Sequence, residues 1–230
     1  MTEPEGRLEV STAVGLVERY AAALVSGVPD QREDDGFFGP ASVTWRLAAD
    51  LSAPVAGLRS VLIQALHPLA MAGVDQHSDW RRDPVGRLAA TSAYVATLTY
   101  GDRAGASRAA QRVRVIHEHV RGTDSVTGRP YAAGDPALLL WVHAALVESV
   151  LEAARLFGTP PAAADADAYV AEMAISAELL GVPREMIPDR VTALQEYMAG
   201  VRPVLRSTPA AAESMGYMLD PEGMGEEIAE

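Results

Sequence analysis

The sequence predicts an all-α fold, a single globular helical domain of about eight or nine helices. Three observations carry that prediction. Alanine and leucine are abundant while aromatic residues make up only 6% of the 230 residues, a composition that favours helices around an aliphatic core. Apolar residues recur at helical spacing far more strongly than in two-residue alternation, and no convincing strand is found. Asp-Pro opens two long periodic segments, where Asp can cap free N–H groups and Pro fills the first helical turn without losing a bond.

The elements follow from those signals in chain order. Periodicity predicts helices near 10–25 and 41–50, separated by a loop at 27–40 rich in Pro, Asp and Gly. A helical pattern over 54–73 contains Pro68, which cannot donate to the carbonyl four residues back, so this helix should kink or break beside His67. Asp83-Pro84 starts a helix that runs to Tyr100 and stops at Gly101; Asp135-Pro136 starts another that runs to Phe157 and stops at Gly158. Both glycines suit a left-handed residue at the helix end. Between them lie a helix over 103–121 and a loop over 122–135. Helices over 165–180, 189–199 and 208–218 complete the domain, punctuated by Gly181-Val182-Pro183 and Ile187-Pro188. One domain is expected over 1–219, followed by an acidic, flexible tail over 220–230.

Composition excludes several function classes. A net charge of -12 argues against binding nucleic acid by phosphate neutralisation, and against docking on an anionic membrane surface. No uninterrupted apolar run reaches the roughly 18 residues of a spanning helix, so membrane insertion is not expected. The absence of cysteine removes disulfides, zinc–thiolate sites, iron–sulfur clusters, thiol nucleophiles and covalent haem attachment. With no leader at the N-terminus, a cytoplasmic location is expected.

All five histidines, His67, His77, His117, His119 and His143, lie in the middle of the chain. His117 has Val113 and Val120 on its own helix face and should point inward, whereas His119 is turned away by about 200°. A buried histidine can be satisfied by one donor and one acceptor, so His117 and His143 could each be plain core residues. Arg87, Thr91 and Tyr94 fall at i, i+4 and i+7 and share one helix face. Arg87 could pair with Asp83 or Asp79, or could stand beside an external anion that suits its guanidinium fork. His117-Glu118-His119 lacks the spacing of a zinc protease, and no Glu-x-x-His pair offers a di-iron site. A facial triad of two histidines and a carboxylate has no fixed spacing and stays open. No nucleophile elbow, Walker loop or dinucleotide fingerprint occurs.

Five words stand around these residues: Leu66-His67-Pro68; His77-Ser78; Asp83-Pro84-x-x-Arg87-Leu88-x-x-Thr91; Val113-Arg114-x-x-His117-x-x-Val120-x-Gly122; and Asp135-Pro136-x-Leu138-Leu139-x-Trp141-Val142-His143-Ala144. Together with Gly39-Pro40-x-Ser42-x-x-Trp45-Arg46 and Arg59-x-x-Leu62-x-Gln64, their order resembles the MpaB-type and rubber-oxygenase (latex clearing protein) catalytic-domain family. The resemblance runs to about Leu205. It implies an all-α, globin-like fold that binds haem b without covalent bonds and uses dioxygen to cleave a carbon–carbon double bond in an isoprenoid chain.

Carried onto this sequence, the resemblance makes His117 the metal ligand. It gives Arg87 and Thr91 places close to the haem, as anchor and pocket wall, and leaves His67, His77 and His143 as distal or supporting candidates. It implies a small apolar alkene and dioxygen as partners. The chain beyond Tyr217 is short for the family, which leaves a pocket wall either missing or supplied by another subunit, as in a homodimer. Two other readings share the fold: a helical haem- or ligand-binding sensor without oxygenase activity, and a metal-free relative in which the histidines only satisfy hydrogen bonds.

Overall fold

In the computed structural model, residues 32–219 are described; the helix expected over 10–25 and the tail over 220–230 lie outside them. The chain runs through α1 (Val43–Ala48), α2 (Ala53–Ala65), α3 (Pro68–His77), α4 (Pro84–Tyr100) and α5 (Arg103–His119). A short hairpin follows, β1 (Arg121–Thr123) and β2 (Pro130–Ala132), then α6 (Pro136–Phe157), α7 (Ala163–Leu180), α8 (Val191–Val201) and α9 (Pro209–Leu219). Three-residue 3-10 turns, Arg184–Met186 and Arg202–Val204, flank α8.

The Asp-Pro heads form as the sequence requires. Asp83 accepts from the Gly86 amide at 2.7 Å and Asp135 from the Ala137 amide at 2.8 Å, each with Pro in the first turn. Pro68 does more than kink its helix. The 54–73 pattern divides into α2 and α3, whose axes differ by 99° across Leu66 and His67. His67 is the cap of α3, its Nδ1 accepting from the Ala70 amide at 3.4 Å.

Two expectations need correction. Residues 122–135 are not plain loop: Arg121–Thr123 pairs antiparallel with Pro130–Ala132, Gly122 opposite Tyr131. The buried Asp124 closes the turn by accepting from the amides of Val126 and Thr127. Nor are Gly101 and Gly158 left-handed, at φ -76° and -129°; only Gly181 ends its helix with positive φ, 103°. Gly158 is needed for close approach instead, since a Cβ there would stand 2.0 Å from Asp50 Oδ1.

The core forms around α6. Ala144, Val147 and Ala154 on this helix pack with Phe38, Leu47, Leu98, Val170 and Leu194 from the surrounding elements. By mean hydropathy, 1.6 over its most apolar window, α6 is long and apolar enough to cross a membrane; 61% of that window is buried within the domain, as befits a core helix. Arg59 of α2 ties down its flank, donating to both carboxylate oxygens of Glu148 and to Ser149 Oγ. At the other end of the chain, α9 is held by a bidentate pair from Arg81 to Glu213 and by the Trp80–Tyr217 edge contact.

Candidate functional site

The α4–α5 hairpin positions the first site residues. Tyr100 and Arg103 flank a two-residue turn, so positions equidistant from it in the two antiparallel helices lie level. Arg87 is 13 residues before Tyr100, and Ile116 is 13 after Arg103. Arg87 therefore stands at the height of His117, and the guanidinium is close enough to act on the imidazole. Burial, and secondarily the Arg87 charge, hold His117 below the ordinary histidine range. The imidazole is neutral at pH 7.

Neither side chain is spoken for. No ring nitrogen of His117 takes part in a hydrogen bond among the described residues, and Arg87 has neither an ion-pair partner nor a side-chain hydrogen bond. The two carboxylates that precede it in the chain are engaged elsewhere: Asp83, one turn back, caps α4, and Asp79, eight residues back, faces Arg82 at 3.8 Å. Arg87 is reached by solvent, yet protein surrounds it closely enough that desolvation lowers its pKa. Among the described residues it is a partly desolvated cation without a counterion.

The rest of the stripe continues inward along α4. Thr91 is exposed and its hydroxyl donates back to the Arg87 carbonyl at 3.1 Å, which leaves its methyl group to form a wall. Tyr94 lies deeper. Its hydroxyl is buried without a hydrogen-bond partner, and burial pushes its pKa up to about 12. On α5 the residues level with it are Ala109 and Ala110, both small and buried.

The other histidines stand apart from this pair. His67, at the α2–α3 break, is half-buried with its ring 5.9 Å from that of Trp141; burial and then Arg129 keep it below its usual pKa. His77, at the far end of α3, is exposed and meets the Tyr131 ring edge at 6.2 Å. His119 is exposed on the outer face of α5, its Nδ1 2.9 Å from the Val115 carbonyl.

His143 is buried in α6, its Nδ1 3.0 Å from Ser176 Oγ. The one hydroxyl proton of Ser176 goes to the Met173 carbonyl at 2.7 Å, so Ser176 accepts from His143 and the proton of this imidazole sits on Nδ1.

Arg87, Thr91 and His117 are thus brought together, with Tyr94 below them, while His67, His77 and His143 occupy three other places. The Arg87–His117 pairing was not foreseen from sequence, although the length of the turn carried the signal. Among the described residues no three His, Asp or Glu side chains stand close enough to hold a metal ion, which removes the donor set of a facial triad there. A metal at His117 would need its remaining ligands from a cofactor. The anion-free Arg87 and the unbonded imidazole beside it fit a planar metal-binding group that carries carboxylates.

Compared with known proteins, residues 45–227 match the family described as "ER-bound oxygenase mpaB/B'/Rubber oxygenase, catalytic domain". The match spans every helix described above except the first residues of α1, and it extends past Leu205 where the motif words end. No curated protein and no solved structure matches the chain.

Proposed function

Since the chain belongs to the mpaB and rubber-oxygenase catalytic-domain family, whose members are oxygenases, we propose that it is a haem-b-dependent oxygenase that uses dioxygen to cleave a small apolar alkene, isoprenoid in type. The single observation that carries this reading is the pairing of a neutral, unbonded imidazole with an unpaired guanidinium at one height of the α4–α5 hairpin. His117 would hold the haem iron, its imidazole favoured in the neutral form that binds a metal. Arg87 would hold a propionate, the kind of planar carboxylate its fork matches. When bound, the haem supplies the dioxygen chemistry.

The chain's own residues do the rest. Val113, one turn before His117, offers apolar surface beside the ligand, while Val120, at the end of α5, packs on the cluster of Leu69, Ala72, Tyr131 and Leu138. The Thr91 hydroxyl is occupied by the Arg87 carbonyl, so this side chain has its methyl group to offer. These walls suit an apolar substrate and offer no base, so proton transfer by a side chain plays no part in the reading.

The test is haem content. Protein purified from haem-supplemented cells should carry close to one haem per chain by its Soret band and by pyridine haemochrome. His117→Ala should abolish that haem and His119→Ala should keep it. Equal retention by both variants overturns the ligand assignment; a folded protein that cannot be reconstituted overturns the haem reading. Oxygen uptake with a panel of alkenes then separates an oxygenase from a haem-binding sensor.

A further inference from the structure

The net charge of -12 conceals a basic face. Between Arg87 and Arg129 stand seven arginines and only three carboxylates. Of those three, Asp102 caps α5 through the Gly105 amide and Asp124 is buried in the hairpin turn, which leaves Glu118. None of the seven arginines takes part in an ion pair among the described residues, whereas Arg46, Arg59, Arg81, Arg155 and Arg184 elsewhere all do.

The outer face of α5 adds a second signal. Arg108, Arg112, Val115, Ile116 and His119 fall at i, i+4, i+7, i+8 and i+11, within about 100° of one another around the helix. This stripe lies opposite buried Ala106 and Ala110, and every member is exposed. Val115 is 43% and Ile116 61% accessible, branched aliphatic groups set among guanidinium groups. Arg114 stands outside the stripe, on the side of Ala110, and the hairpin that follows α5 adds exposed Arg121, Val126 and Arg129.

We propose that this outer face of α5 with its hairpin is a docking surface for an anionic phospholipid membrane. Unpaired arginines call for an anionic partner, and guanidinium matches phosphate. The aliphatic groups among them call for an apolar layer just beneath that anion, which is the layering of a bilayer surface. Interfaces between proteins draw on aromatic residues and Met at their centres, and this face has none. The acidic remainder of the chain does not prevent docking, because charges more than about 8 Å away are screened at physiological salt. Docking here is peripheral and needs no spanning helix. It would bring α5, whose inner face carries His117, against the phase in which an apolar alkene dissolves, a consequence that rests on the function proposed above.

The experiment is co-sedimentation of the full chain with vesicles of phosphatidylcholine and phosphatidylglycerol at 70:30, and with vesicles of phosphatidylcholine alone, in 0.1 M salt. The expected result is binding to the anionic vesicles only. An arginine at an anionic surface is worth about fivefold in partitioning, so Arg108→Gln/Arg112→Gln/Arg121→Gln should weaken binding by about a hundredfold. Val115→Ser/Ile116→Ser should weaken it by about tenfold. Absence of any preference for anionic vesicles overturns the proposal. So does vesicle binding that survives the serine pair intact, which would mark a purely electrostatic surface such as a site for an acidic protein. Haem content is read in the same samples; the substituted side chains of α5 face away from His117, so its retention in all variants keeps failure of docking distinct from failure of the haem reading.

Discussion

Lowering the pH from 7 to 5 should destabilise the folded chain by about 2 kcal/mol through His143 alone. The side chain is only 8% exposed and its pKa is held down to about 4 by burial, against an ordinary 6.5. Its Nδ1 proton is committed to Ser176, so acid must add a proton at Nε2 inside the core. A group whose folded pKa is depressed leaves the unfolded chain binding more protons between the two values. The stability is therefore present in full above about 6.5 and lost as pH falls towards 4.

At pH 5 the unfolded imidazole is almost wholly protonated and the folded one almost wholly neutral, a difference of about 1.5 pH decades at 1.36 kcal/mol each, or about 2 kcal/mol. The assay is urea denaturation at pH 7, 6 and 5 of the natural chain and of His143→Asn. Asparagine keeps a donor near Nδ1 for Ser176 but cannot titrate. His67 and His117, both also depressed, add to the acid sensitivity of either protein and cancel in the comparison. The natural chain should lose about 2 kcal/mol more than the variant between pH 7 and 5. Parallel pH dependences would refute the placement of His143 as a buried neutral imidazole.

Two further outcomes test the local geometry. Arg87→Met removes a positive charge from beside His117 and should raise the pKa of that histidine, read from its imidazole protons by NMR; no movement would contradict the level pairing across the hairpin. Gly158→Ala drives a Cβ to 2.0 Å from Asp50 Oδ1 and 2.7 Å from Ser52 Oγ, disturbing the Asp50 contacts to Ser52 and Thr159 that join α1 to the end of α6, and should cost about 1–3 kcal/mol. Gly200→Ala meets nothing within 4 Å in a helical position and should stabilise the chain by about 0.5–1 kcal/mol. Thermal melts separate the two glycine variants by sign.

Local signals were legible and distant ones were not. Asp83-Pro84 and Asp135-Pro136 specify their helices within four residues of chain, and both formed with the bounds expected. The kink or break at His67 was visible but its 99° angle was not, because Pro68 disrupts the backbone hydrogen bond but the direction taken afterwards depends on what α3 packs against. The β-hairpin was hidden because three-residue strands are too short to show alternation, and the Gly and Pro around them read as loop. Gly101 and Gly158 looked like left-handed ends because adjacency to a helix is all the sequence displays; the crowding that makes Gly158 necessary comes from Asp50, over a hundred residues away.

The site obeys the same division. The Arg87–Thr91–Tyr94 stripe and the inward turn of His117 follow from helical spacing. The pairing of His143 with Ser176 and the influence of Arg129 on His67 join separate elements and left no trace in spacing.

What distinguishes Arg87 from the other arginines of its segment that lack an ion pair among the described residues is the imidazole of His117 beside it. The chain has 31 carboxylates against 19 arginines, so a counterion is not in short supply. Asp79 and Asp83 stand within reach along the chain, yet one faces Arg82 and the other caps the helix. Leaving a partly desolvated guanidinium unpaired lowers stability, and its charge disfavours only the protonated form of the imidazole beside it. A fold that needed only a helix edge at this height could use an alanine, as it does at Ala90. Retaining the cation beside an unbonded imidazole makes physical sense if the missing anion and the missing ligand arrive together on one molecule, and haem carries both, carboxylates at its rim and a metal at its centre.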